Sequence, residues 1–150
     1  MGKADAQLLA AQGASVVVAD LNEADGKVVA AGIGVNAIFM RLNVTDEENW
    51  KSVIAATVEK FGRLDILVNN AGTNIKDRTL RELTPEAWDM MIRTNLDGAF
   101  YCTKAVLPQM FERKDGVIVN VVSVAGKRAN PLGGAAYVAA KFAMGGLGLV

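Results

Sequence analysis

Four short runs, "SVVVAD" (15–20), "NAIFMRL" (36–42), "LDILVNNAG" (64–72) and "GVIVNVVS" (116–123), alternate with stretches of helical spacing. This alternation constrains the fold more than any other feature of the chain. Runs rich in Val and Ile that do not alternate with polar residues predict strands buried on both faces, the habit of parallel sheets. Parallel neighbours need a crossover between them, and the intervening segments supply helices. Thr45 and Glu48 have the spacing of a capping box, ahead of Trp50, Val53, Ile54, Thr57, Val58 and Phe61 on one helical face. Thr84 and Pro85 predict the N-cap and first residue of a long helix over about 85–112. Its apolar stripe is expected at Trp88, Met91, Ile92, Leu96, Ala99, Phe100 and Leu107. Strand–helix–strand repetition predicts the α/β class: a doubly wound, Rossmann-like parallel sheet with helices on both faces and right-handed crossovers. Ligands of such sheets bind at the carboxyl ends of the strands.

The chain has no histidine. Ser-His-Asp and Cys-His catalysis are thereby excluded within these residues, as are the usual histidine metal sites, and no metal is expected. Acid–base work falls to carboxylates, lysine or tyrosine. Sixteen basic residues balance sixteen acidic ones, which gives no bias toward nucleic acid or an anionic membrane, and neither partner is expected. No apolar run approaches the ~18 residues needed to span a bilayer. Residues 1–20, interrupted by Gln7, Gln12 and Gly13, do not have the layout of a signal peptide. Cys102 is the single cysteine, so no internal disulfide forms, and a reducing cytoplasm is the expected compartment.

The residue types at the strand ends carry the functional signal. Asp20 closes the first run, where dinucleotide folds place an acid against the adenosine ribose; it would equally serve as a cap for the next helix. Asn69, Asn70, Ala71 and Gly72 end the third run. Such a turn offers side-chain amides and a glycine that permits close approach of a ligand, or is simply a turn. Ser123 ends the fourth run, where serines also serve to satisfy turn backbone. Asn95 borders the apolar stripe of the long helix, where an amide needs partners. Tyr137 and Lys141, one helical turn apart in "AAYVAAKFAMGG", share a face of an alanine-rich helix. A lysine there either snorkels to water or has a buried role that offsets the cost of desolvating its ammonium. Convergence of Asn95, Ser123, Tyr137 and Lys141 at the strand ends, next to Asp20, would give all of them a purpose.

"NNAG", "NLDGAFYCTKAVLPQM", "VNVVSVAG" and "YVAAK" follow one another as in the short-chain dehydrogenase/reductase family. The chain resembles that family over essentially its whole length, and most closely its 3-oxoacyl-acyl-carrier-protein reductase type. The resemblance implies an NAD(P)-binding domain and an oxidoreductase that moves a hydride between NAD(H) and a ketone or secondary alcohol, small or acyl-carrier-linked. It implies that Tyr137 is the catalytic acid/base, with Lys141 as its partner. Ser123 would orient the substrate oxygen, and Asn95 would support a water path to the lysine. For the cofactor it implies contacts from Asn69, Ala71, Gly72, Tyr137 and Lys141. Asn43 and Val44 would border the adenine, and Asp20 would select NAD over NADP. It also implies a homo-oligomer, dimer or tetramer, paired through the long helix and the Tyr137 helix. The residue types suit these roles, since an ammonium stabilises a nearby phenolate and a hydroxyl can hydrogen-bond a developing alkoxide.

Family members open with a strand and a T-G-x-x-x-G-x-G loop. Here Gly2, eighteen residues before Asp20, fits the last glycine of that fingerprint. Residues 1–150 are therefore expected to form a single partial domain, truncated at both ends. The first strand, which in the family lies between those ending at Asp20 and Asn69, and the last strands would be missing. Two central edges would then be unpaired. The alternative is an inactive fragment that keeps part of the fold without binding nucleotide. A Ser-Lys hydrolase built on Ser123 and Lys141 would leave Asp20 and the asparagine turn without a role.

Overall fold

A computed structural model describes residues 1–128 and 130–149 of the chain. Helix α1 (Gly2–Ala11) leads into strand β1 (Val16–Asp20), and α2 (Glu23–Ile33) crosses to β2 (Ala37–Arg41). Then α3 (Glu47–Phe61) precedes β3 (Ile66–Asn69). A rod made of α4 (Pro85–Ile92), a π turn (Arg93–Asp97) and α5 (Gly98–Arg113) returns to β4 (Val117–Asn120). A 3-10 turn (Val124–Gly126) and α6 (Ala135–Leu147) complete the described elements. Both strand pairs are parallel, with Val16 opposite Ala37 and Ile66 opposite Val117. The α/β class and the parallel pairing are those expected from the sequence.

One buried cluster joins the layers. Trp50, Val53 and Ile54 of α3 meet Cys102, Val106 and Met110 of α5, over Leu42 and Leu67. The Trp50 indole N–H donates to the Val44 carbonyl at 3.1 Å, which fixes the β2–α3 connection to the same core. Burial of this kind stabilises by about 25 cal/mol per Å² of apolar surface removed from water.

The strands fall into two sheets, β1–β2 and β3–β4, and β1 and β3 do not pair with each other, as expected for a sheet lacking the strand between them. Four features correct the sequence reading. The strands are not buried on both faces. Leu67 is buried, but Ile66, Val117 and Val119 on the opposite face are 45, 53 and 43% exposed, because nothing among the described residues covers them.

The N-cap of α3 is Asp46, not Thr45. Asp46 Oδ1 accepts from the N–H groups of Glu48 and Asn49 at 3.0 and 3.1 Å, while the Thr45 hydroxyl donates to Asn43 Oδ1 at 2.9 Å. Glu48 does not reach back as a capping box requires; it pairs with Lys51 at 2.6 Å. Thr84 caps α4 as expected, its Oγ1 accepting from Ala87 N at 3.2 Å, with Pro85 as the first helical residue.

The long helix is interrupted by the π turn. A π turn adds a residue to one helical repeat and rotates everything after it. The inward face of α5 is therefore Cys102, Val106 and Met110, while Phe100 is 45% exposed and Trp88, at the start of the rod, is also exposed. Finally, α1 adds a helix that the sequence pattern did not mark, and none of its residues is buried.

The Asp46 cap is open to test. Asp46→Ala should cost about 1 kcal/mol of stability, and Asp46→Asn, which keeps an acceptor, should recover most of it. A urea midpoint left unchanged by Asp46→Ala would show that another group caps α3.

Candidate active site

The tails of the third and fourth runs, 70–72 and 121–123, leave their strands and wall a cleft of about 410 Å³. Ser123, Tyr137 and Lys141 all line it. Ser123 sits in extended backbone at the start of the 3-10 turn, where its Oγ accepts from Ala125 N at 3.1 Å. The turn-capping role left open for this serine is therefore real, and the hydroxyl keeps its own proton for a partner in the cleft.

Tyr137 and Lys141 lie on α6, whose inner face is Ala136, Ala140 and Met144. Lys141 does not snorkel: it is only 3% exposed. Its Nζ donates to the Val121 carbonyl at 2.8 Å, approaches Met144 Sδ at 3.4 Å and lies 5.9 Å from the centre of the Tyr137 ring. Among the described residues no carboxylate pairs with it. Burial pulls its pKa below the ordinary lysine value. Cys102 is the other displaced buried group; burial pushes its thiol far up, which leaves it an inert core residue.

Asn95 stands inside the π turn and is 1% exposed. Its amide donates to the Thr73 and Met91 carbonyls at 3.0 and 2.9 Å, and its Oδ1 accepts from Thr73 N at 3.0 Å. The side chain thus clasps the turn after Gly72, and no hydrogen bond joins it to Lys141. Gly72 lies between them: a Cβ there would meet Asn95 Oδ1 at 2.7 Å and Lys141 Nζ at 3.6 Å. Asn69 is buried, its Nδ2 donating to Asn120 Oδ1 at 2.9 Å and Thr103 Oγ1 at 3.3 Å, so its amide ties β3 to β4 and α5. Exposed Ala71 and Gly72 are left facing outward from that strand end.

Asp20, Asn43 and Val44 lie at the carboxyl ends of β1 and β2, in the other sheet. Asp20 Oδ1 accepts from Asn22 N at 2.9 Å, but the cap of α2 is Asn22, which accepts from Asp25 N. The Asp20 carboxylate is thus exposed at its strand end with one oxygen engaged in the turn. Asn43 Oδ1 is engaged by Thr45, and Val44 packs against Gly98.

The N-terminal turn of α1 also reaches the cleft. Met1 lines it, and a Cβ on Gly2 would approach Asn70 Nδ2 to 2.7 Å. The exposed acid at one strand end and the buried ammonium beside another are residue types that fit a dinucleotide. Residue types alone did not reveal Val121, which acts through its carbonyl, or Thr73, which acts through its backbone. Asn74, also on the wall, had no spacing signal to mark it.

The chain matches the short chain dehydrogenase family across residues 1–149. It belongs to that family. Among similar members is the trans-4-hydroxycyclohexanecarboxylate dehydrogenase of Sinomonas cyclohexanicum, 41% identical over 98% of this chain and 59% of the relative. Another is the 3-oxoacyl-[acyl-carrier-protein] reductase of Synechocystis sp., 45% identical over 94% of this chain and 58% of the relative. The crystal structure of gox2181 superposes with a TM-score of 0.92 at 32% identity, covering 97% of this chain and 60% of that one. This short chain dehydrogenase sequence therefore spans less than two thirds of each of these proteins. Among the described residues no helix is long and apolar enough to cross a membrane, and no cluster of metal-ligating side chains occurs.

The displaced Lys141 makes a pH prediction. Between its lowered folded value and the ~10.4 of an unfolded lysine, the unfolded chain binds the extra proton. Stability therefore rises with pH across that window and is flat below it. Lys141→Met lacks the window. Wild type should gain in urea midpoint relative to Lys141→Met as pH rises from about 7 to about 10.5; a constant difference would contradict this.

Proposed function

We propose that the complete protein to which residues 1–150 belong transfers a hydride between NAD(H) and a ketone or secondary alcohol. The observation that carries this reading is the gathering of Ser123, Tyr137 and Lys141 in one cleft, with the lysine ammonium buried and unpaired with any carboxylate among the described residues. When bound, the nicotinamide supplies the hydride chemistry. In the reducing direction the Tyr137 phenol gives its proton to the carbonyl oxygen, and the Lys141 ammonium stabilises the phenolate left behind. The Ser123 hydroxyl donates to the same oxygen as charge develops on it. Asn95 contributes by holding the turn at Thr73 that walls the cleft.

Tyr137 and Lys141 would hold the nicotinamide ribose, with Ala71 and Gly72 beside the cofactor and Asn43 and Val44 at the adenine. Asp20 would accept from a ribose 2′-hydroxyl and repel a 2′-phosphate, which favours NAD over NADP. The relatives' names cover a cyclic hydroxy acid and an acyl-carrier-linked ketone, so the substrate is proposed only as a small or carrier-linked carbonyl or alcohol. The complete protein would pair with copies of itself through the α4–α5 rod and α6, where Trp88, Phe100 and Phe142 are exposed. The second reading has its own observation: Asp20 and the Tyr137 cleft lie at the ends of two unconnected sheets, which one nucleotide must bridge. Residues 1–150 alone are accordingly proposed as a partial domain with little turnover.

In the complete protein, Tyr137→Phe should lower turnover by roughly 10²–10⁴-fold while NADH binding, followed by fluorescence, persists. Near-wild-type turnover in that variant would sink the assignment.

Cofactor choice is tested separately. Asp20→Ser should narrow or reverse the ratio of kcat/KM with NADH to that with NADPH. A wild type that already works better with NADPH would overturn the role given to Asp20.

A further inference from the structure

Lys141 is bounded on two sides by residues without side chains. On one side the turn that starts at Ser123 lies flat against α6. A Cβ built on Gly126 would stand 2.5 Å from the Lys141 carbonyl oxygen and 2.8 Å from its carbonyl carbon. These are backbone atoms in a helix, and they cannot rotate aside as a side-chain tip can. On the other side, a Cβ on Gly72 would stand 2.7 Å from Asn95 Oδ1 and 3.6 Å from Lys141 Nζ. Neither glycine lies at positive φ, unlike Gly13, Gly34, Gly62, Gly116 and Gly134. Both positions therefore need glycine for space and not for backbone conformation. Gly32, in α2, also lacks positive φ and has nothing within 4 Å of its built Cβ.

The Ser123 turn is only three residues deep from serine to Gly126, and Ser123 Oγ accepts from Ala125 N within it. Lifting Gly126 away from α6 would carry Ser123 with it, away from Tyr137 one turn before Lys141. We propose that Gly126 and Gly72 are positioning residues for proton transfer: Gly126 sets the distance of the Ser123 turn from the α6 backbone, and Gly72 sets the approach of Asn95 to the Lys141 ammonium. This inference rests on the hydride-transfer reading of the cleft and deepens it.

The test uses the complete protein. Gly126→Ala should lower kcat by roughly 10²-fold, the cost of a displacement near 1 Å at a reacting group, with NADH binding near wild type. Adding Val122→Ala, which clears the other atom near that Cβ, should not restore the rate, because the obstructing carbonyl remains. Gly72→Ala should move the titration of the Lys141 Cε signal in ¹³C-lysine-labelled protein, with the signal assigned by its loss in Lys141→Met. Gly32→Ala should change neither readout. Wild-type kcat in Gly126→Ala, or full rescue by Val122→Ala, overturns the role of Gly126. If Gly126→Ala does not fold, Gly72→Ala decides: an unmoved Lys141 titration overturns the proposal and a moved one supports it. A wild type without turnover that still shows the Gly72→Ala shift sinks the hydride-transfer reading and leaves the positioning of Lys141 standing.

Discussion

The hydrogen bond from the Lys141 ammonium to the Val121 carbonyl is the contact on which the site depends. Removing an ammonium from water costs several kcal/mol unless a fixed acceptor replaces the solvent. Here the acceptor is a main-chain oxygen just past the end of β4, so α6 must lie across that strand end for the lysine to be tolerated. Met144 and Ala140 seal the same face. The absence of a neutralising carboxylate among the described residues leaves the positive charge available to whatever enters the cleft. An acid in that place would improve stability and remove the field that favours a phenolate.

A second constraint comes from Asn95. A buried amide in the middle of a helix would ordinarily be a liability, since its donors and acceptor compete with the helix ladder. The π turn converts the conflict into structure. With the regular repeat broken, the amide serves the Met91 carbonyl inside the helix and both backbone groups of Thr73 outside it. The rod is thereby joined to the strand-end turn that faces Lys141. Local irregularity of this kind tends to collect at functional sites, and here it is carried by one fully buried side chain.

Much of the fold was legible because the relevant signals are periodic. Runs such as "GVIVNVVS" and the Thr84–Pro85 start are short-range patterns that survive whatever the rest of the chain does. The Tyr137–Lys141 pair was legible for a different reason, since a charge in an apolar helix face needs an explanation. What escaped detection was relational. Asp46 replaced Thr45 as cap because Asn43 captured the threonine hydroxyl, a competition that no spacing rule encodes. Phe100 lost its place in the core because a π turn shifts register, and residue identity alone does not announce that turn. Val121 and Thr73 contribute only backbone atoms, so their sequence letters carry no trace of the role.

The separation into two small sheets has a consequence for the chain in solution. Ladders of five and four residues give little cooperativity, because each hydrogen bond is near an end that can fray. Among the described residues no strand pairs with the outer edges of β1 and β3, and Ile66, Val117 and Val119 add an apolar face beside one of them. Such an edge accepts any extended segment of suitable pattern, whether from a neighbouring copy or from a stray peptide.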